Sequence, residues 1–191
     1  EQGFKRLFMS LHYRGEMIKD YFGDGSNWNV TIQYLEENAP LGTAGALSLV
    51  NSADVVYPLM VINGDLMTRM NYGHLLAFHK EQGGVATVCV REYEHQIPYG
   101  VVGLERGTVS RIDEKPSHKY FINAGIYVLD EAVVRTVDED SPLDMTDLLS
   151  SLVAKGERVN AYPIHEYWID IGRVSEYKRA NQDVGYSLDN S

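Results

Sequence analysis

Cysteine is almost absent, with Cys89 the single one in 191 residues. A lone thiol forbids an internal disulfide. Its place in the apolar run VATVCV reads as a small buried hydrophobe in a chain kept under reducing, cytoplasmic conditions. Positive charge is also scarce: 17 Lys and Arg against 27 Asp and Glu give a formal net charge of -10. That balance excludes a broad nucleic-acid surface or an anionic membrane partner, and an anionic ligand would need a local cationic site. No apolar run approaches the ~20 residues of a membrane span, and the opening residues have no signal-peptide pattern. Also missing are a G-x-S-x-G elbow, a Walker lysine loop, a complete G-x-G-x-x-G, a hexapeptide repeat and any zinc-type spacing among His12, His74, His79, His95, His118 and His165.

What remains is the composition of one globular domain, 44% hydrophobic and 23% charged. Strand-like and helix-like runs alternate: a strand from about Phe4, a helix ending near Gly23 and Gly25, a strand over Val30 to Glu36, and a helix over Ala44 to Val50. The run VYPLMVINGD then reads as a buried strand leading into Asp65, followed by a helix over Tyr72 to Glu81 and a strand over Val85 to Arg91. This repeating βα order predicts an α/β fold with a parallel sheet covered by helices. Beyond Arg91, YGVVGLE, TVSRIDE and YFINAGIYVLD read as a small antiparallel or mixed insertion. Helices over Asp130 to Val137 and Met145 to Lys155, the strand RVNAYPI, a last helix over Val174 to Gln182 and a polar tail, 184–191, complete the chain.

In open α/β sheets ligands bind beyond the carboxyl ends of the strands, which singles out four places. In ENAPLGTAGALSLV, Leu41, Gly42 and Thr43 follow a strand and Gly45 opens a helix. The glycines serve either a tight turn with close packing or the approach of backbone to a ligand. Asp65 follows ~20 residues later, imitating a dinucleotide fingerprint. Position 40 is Pro, however, so the glycine pattern is broken and a dinucleotide-dependent oxidoreductase is disfavoured. In VINGDLMT, Asp65 is a metal ligand or a cap on the next turn. In IDEKPSHKYFINAGIYVLD, Glu114 and Lys115 precede an extended proline. Asn123 and Gly125 interrupt an apolar strand there, marking a bulge or a close approach. In HEYWIDIG, Asp170 among Trp168, Ile169 and Ile171 is expected to be partly buried and to need a cation, donor or metal.

Taken in order, PLGTAGAL, NGDLMT, PYGVV, DEKP, NAGIYVLD and YWIDIG resemble the sugar-phosphate nucleotidyltransferases, or sugar-nucleotide pyrophosphorylases, from about Gly3 to Asn181. The resemblance implies a Rossmann-like, mostly parallel sheet flanked by helices, of the nucleotide-diphospho-sugar transferase type. It also implies a Mg²⁺-dependent enzyme that joins a nucleoside triphosphate to a sugar 1-phosphate and releases pyrophosphate. Carried over by motif, Asp65 and Asp170 hold the metal and, with Lys115 at the sugar phosphate, form the catalytic set. Leu41, Gly42, Thr43 and Gly64 line the nucleotide site, while Tyr99, Gly100, Glu114, Asn123 and Gly125 contact the sugar.

The family's first signature, a glycine-rich loop with an arginine and a proline-lysine pair, belongs before the first strand and is not among these residues. The expectation is therefore an N-terminally incomplete fold, with 1–183 the C-terminal portion of one nucleotidyltransferase domain and little activity by itself. PLGTAGAL is similar to the guanylyltransferases of mannose, heptose or hexosamine 1-phosphates, which favours GTP. YWIDIGRVSEYKRAN is similar to bacterial members that follow a pair of regulatory CBS modules, which implies such modules upstream; a homo-oligomer is left open. The competing reading is a pyrophosphorylase-like regulatory or structural subunit that binds nucleotide sugar without turnover.

Overall fold

The computed structural model describes residues 2–139, 141–172 and 174–188, the side chains of 174, 175 and 184–188 excepted. Strand β1 (Arg6–Leu11) and strand β2 (Thr31–Glu36) pair in parallel, from Arg6 opposite Thr31 to Leu11 opposite Glu36. Helix α1 (Gly15–Phe22) crosses between them and stops where Gly23 takes a positive φ and donates its N–H back to Lys19. After a single turn of helix, α2 (Gly42–Gly45), come strand β3 (Leu59–Ile62), strand β4 (Leu66–Thr68) and helix α3 (Tyr72–Gln82). The side chain of Asn71 caps α3 by accepting the His74 N–H at 3.2 Å.

Strand β5 (Ala86–Gln96), the hairpin of β6 (Gly100–Glu105) and β7 (Thr108–Glu114), and strand β8 (Ser117–Leu129) follow. Helices α4 (Glu131–Val134) and α5 (Met145–Ala154), strands β9 (Val159–Pro163) and β10 (Trp168–Asp170), and helix α6 (Val174–Leu188) complete the order.

The central sheet has the order β3-β8-β5-β9. Strand β8 is antiparallel to β3 and β5, and β5 is parallel to β9, so three strands share one direction and β8 opposes them. Alternation along β8 sends its side chains to two cores. Tyr127 and Leu129 meet α4 and α5 through Val133, Val134, Met145, Leu148 and Leu152. Ala124, Ile126 and Val128 face the other way, towards Met70, Leu75, Cys89 and Ile164. Both faces are thus covered by helices, and burying each large aliphatic side chain contributes about 1.5–3 kcal/mol. Cys89 is fully buried, and loss of hydration pushes its thiol up to about 12. His79 is also buried, in contact with Thr87 Oγ1 at 2.8 Å and Asp130 Oδ1 at 3.2 Å, and ties α3 to the sheet and to the start of α4.

The structure corrects several expectations. The run YFINAGIYVLD is no part of an insertion: its second half is the most buried strand of the sheet, and only its first half joins the exposed arm with β6 and β7. The sheet is mixed because of this strand. The run into Asp65 ends at Ile62, where Asn63–Asp65 turn the chain into the separate strand β4. The helix expected over Ala44 to Val50 is one α-turn followed by a 3-10 turn over Ala46–Leu49. Helix α6 runs six residues past Gln182, so 184–188 of the expected tail are helical, and 189–191 lie outside the described residues. Among the described residues no helix is long and apolar enough to cross a membrane.

Candidate active site

Two three-residue strands create the acidic centre. Strands β4 and β10 pair antiparallel, Asp170 opposite Leu66, and the Ile171 N–H donates to the Asp65 carbonyl at 2.8 Å. That pairing brings together two carboxylates 105 positions apart in sequence. A Cβ placed on Gly172 would lie 3.0 Å from Asp170 Oδ1 and 3.2 Å from Asp65 Oδ2, so the two oxygens are no more than about 6 Å apart. Gly172 is the residue that leaves room for both. Asp170 is exposed, contrary to the expectation of partial burial: alternation turns Ile169 inward and Asp170 outward at the strand end, where its Oδ1 accepts the Gly172 N–H at 2.8 Å. Asp65 is exposed as well.

Asn123, Gly125 and Gly64 adjoin this centre. Gly125 has φ +71°, and a Cβ there would meet Asn63 Nδ2 at 2.8 Å and Leu66 Cδ1 at 2.9 Å. The Asn63 N–H donates to the Gly125 carbonyl at 2.9 Å. The group that approaches Gly125 is therefore the turn carrying Gly64 and Asp65. Asn123 is fixed on both ends of its amide, accepting the Gly125 N–H at 2.9 Å and donating to the Tyr127 hydroxyl at 2.8 Å. Asn63 is a residue that sequence reasoning missed; its only signal is its place two residues before Asp65.

A second group lies on the arm. Gly100 pairs with Glu114, and a Cβ on Gly100 would meet Glu114 Oε2 at 3.2 Å. Tyr99 beside it is 74% exposed. Lys115 holds φ at +47°, a region that costs a lysine backbone strain, and its carbonyl accepts from Gln96 Nε2 at 3.4 Å. Tyr99, Gly100, Glu114 and Lys115 thus belong to the β6–β7 hairpin and its flanks, and Asn123 and Gly125 to strand β8.

Leu41, Gly42 and Thr43 form a third group, held by the start of α5. The Leu41 N–H donates to Glu37 Oε2 at 2.9 Å and the Thr43 N–H to Asp144 Oδ1 at 3.2 Å. The Ala44 and Gly45 N–H groups both donate to the Leu143 carbonyl, at 2.9 and 3.1 Å. Four amides of this loop are thus already used within the protein, so it is not an anion cradle of free N–H groups. Both glycines answer to packing: a Cβ would lie 2.7 Å from the Leu143 carbonyl at Gly42 and 2.9 Å from the Ser141 carbonyl at Gly45.

The acidic centre suits Mg²⁺ in its donor set, because that ion takes one or two carboxylates and completes its octahedron with substrate oxygens and water. Among the described residues no group of three or more His, Cys, Asp or Glu could hold a metal ion, and the carboxylates that meet at this point are the two of Asp65 and Asp170.

The family described as nucleotidyl transferase matches residues 1–186. Probable mannose-1-phosphate guanylyltransferase 2 of Oryza sativa subsp. japonica is 32% identical over 187 residues, 93% of this chain and 51% of that protein. Mannose-1-phosphate guanyltransferase of Schizosaccharomyces pombe is 30% identical over 183 residues, 92% of this chain and 50% of that protein. The chain therefore spans about half the length of the curated relatives it matches. Among solved structures, HddC from Yersinia pseudotuberculosis has 25% identity and a TM-score of 0.70, covering 96% of this chain and 80% of that one. The same protein complexed with GMP-PN has a TM-score of 0.72 at 24% identity, a likeness of fold. With the family match extending over nearly the whole chain, the mixed α/β protein described here belongs to the nucleotidyl transferase family.

Proposed function

We propose that this chain supplies most of the active site of a Mg²⁺-dependent enzyme that transfers a guanylyl group from GTP to a sugar 1-phosphate of the mannose type. The observation that carries the reading is the convergence of Asp65 and Asp170 on Gly172. Two exposed carboxylates at strand ends are useful to a triphosphate only when a cation stands between them and the phosphates, and Mg²⁺ bound there would neutralise phosphate charge. The rest falls to the protein. An oxygen of the sugar phosphate attacks the α-phosphorus in line, the bond to the β-phosphate oxygen breaks, and pyrophosphate leaves; the chemistry needs positioning and charge compensation rather than a protein nucleophile.

Lys115 brings a cation to the sugar phosphate in a protein of net charge -10. Glu114 accepts hydrogen bonds from sugar hydroxyls, with Tyr99 and Gly100 beside it; Asn123 and Gly125 complete the sugar contacts, and the Gly125 carbonyl also holds the turn of Gly64 and Asp65 through the Asn63 N–H. Leu41, Gly42 and Thr43 read the nucleoside, a role that does not require free backbone amides. GTP is favoured because the relatives named above are guanylyltransferases by name. A cytoplasmic setting, upstream CBS modules and assembly into a homo-oligomer belong to the same proposal. So does low turnover by these 191 residues alone, since the loop at Leu41–Gly45 supplies no phosphate cradle.

The test is pyrophosphate release by the complete gene product from GTP and a panel of hexose and heptose 1-phosphates, for the wild type and for Asp170→Ala. A loss of 100-fold or more in kcat for the variant, with circular dichroism unchanged, is the expected result. Rate and metal requirement unchanged in Asp170→Ala would overturn the metal assignment. Binding of a GDP-sugar without release of pyrophosphate from any pair of substrates would replace the enzyme by the regulatory subunit.

A further inference from the structure

Asp144 occupies the N-cap position of α5 but makes no side-chain capping bond to its own helix. An aspartate there ordinarily accepts an N–H from the first turn. Here its Oδ1 is turned across to the chain around position 43, where it accepts the Thr43 N–H at 3.2 Å and the Thr43 hydroxyl at 3.4 Å. The exchange is mutual, because the Met145 N–H, the first of the helix, donates to Thr43 Oγ1 at 2.8 Å. Thr43 caps α5 in place of Asp144, and Asp144 holds Thr43. Flanking backbone bonds complete the junction: Leu143 N–H to the Leu41 carbonyl at 2.8 Å, and Ala44 and Gly45 N–H to the Leu143 carbonyl. Gly42 is part of the same device, since its φ is +74° and a Cβ on it would lie 2.8 Å from Asp144 Oδ1.

We propose that Asp144 is a positioning residue for nucleotide binding, fixing Leu41–Thr43 in the binding conformation and coupling that loop to the first turn of α5. The inference rests on the reading of Leu41–Thr43 as the nucleoside site. Its physical basis is pre-organisation. A loop with Gly42 in left-handed conformation is one of many states of a free chain, and the carboxylate, accepting two bonds from one residue, selects that state before the ligand arrives. The coupling follows from Thr43 Oγ1, whose bond to Met145 strengthens when the loop is held more firmly.

Titration of GTP with Mg²⁺ into the complete gene product, followed by calorimetry and by hydrogen exchange of the segment around Met145, tests this. In the wild type, GTP slows exchange of the first-turn amides of α5. Asp144→Ala weakens GTP about tenfold, or about 1.4 kcal/mol, and abolishes the slowing, while the KM for sugar 1-phosphate stays within twofold. Asp144→Asn, whose amide oxygen still accepts the Thr43 N–H, restores most of the affinity and guards against a folding defect in the alanine variant. Asp147→Ala, which removes a carboxylate from the same turn, leaves GTP affinity unchanged. Equal GTP affinity in wild type and Asp144→Ala, or equal losses in Asp144→Ala and Asp147→Ala, overturns the positioning role while the nucleotide site stands. Failure of the wild type to bind GTP or any other nucleotide overturns the nucleoside site itself, and the positioning role with it.

Discussion

The two halves of β8 share a partner and differ in almost everything else. From Ser117 to Asn123, and again from Tyr127 to Leu129, the strand is laddered to β5. Yet Tyr120 and Phe121 are 54% and 69% exposed, whereas Ala124, Ile126, Val128 and Leu129 are fully buried. Backbone pairing therefore does not make a core; the helices above and below the second half do. The candidate site lies at the change-over. Asn123 is the last exposed residue before the covered half and Gly125 lies just inside it, where the ladder to β5 shifts register, and the turn carrying Asp65 packs against Gly125.

The comparison is broken most directly in the covered half. Ile126→Ala removes a fully buried side chain between β8 and α3 and is expected to cost about 2–5 kcal/mol, with a drop in melting temperature on the order of 5–15 °C. Gly125→Ala comes next, at about 1–3 kcal/mol. The new methyl group has both a positive φ and a 2.8 Å contact with Asn63 Nδ2 against it. Calorimetry on the pair Gly125→Ala and Asn63→Ala separates these causes: a double variant as unstable as Gly125→Ala alone assigns the cost to backbone strain, and partial recovery assigns it to the contact.

Asn123→Ala sharpens the boundary with a smaller effect, about 1–2 kcal/mol, by taking the donor from the nearly buried hydroxyl of Tyr127. Burial raises the pKa of that phenol, and the Asn123 bond partly offsets the rise. The folded chain therefore keeps this proton to higher pH than the unfolded chain. Stability from it is present below the ordinary tyrosine range near 10 and falls as pH rises through it, more steeply in the variant. Urea unfolding at pH 8 and pH 11 measures both slopes.

Much of this boundary was legible in the sequence, and the reason it was incomplete is physical. The apolar runs that become β3, β5 and β9, and the periodic runs that become α3 and α5, carry their own signal because each buries a face. Asp65, Lys115, Asn123 and Asp170 are singled out by their places along the strand runs, and their roles come from the resemblance alone. By contrast β4 and β10 are three residues each, too short for a period, and their meaning comes from pairing across about 100 residues. Asp144 escaped for the same reason: its partner is 101 positions away, and its position before a helix reads as an ordinary cap. Three apolar neighbours in sequence do not make a buried environment for Asp170, because alternation along β10 turns Ile169 inward and Asp170 outward.

The smallest expected effect is in the exposed half, and it decides whether the arm is a free surface. Phe121→Ser replaces a ring that is 69% exposed, opposite Glu92 in the ladder, and should shift stability by no more than about 0.5 kcal/mol. Lys119→Ala, which removes the neighbouring ion pair with Glu92 at 2.8 Å, should leave the melting temperature unchanged, because both partners are in water. Side chains left in water contribute little whatever the strand they stand on. If Phe121→Ser instead lowered the melting temperature by several degrees, and did so more at high protein concentration than at low, the ring would be covered in solution by another copy. The two halves of β8 would then differ in what covers them, with the chain's own helices on one and a partner on the other, rather than in whether they are covered at all.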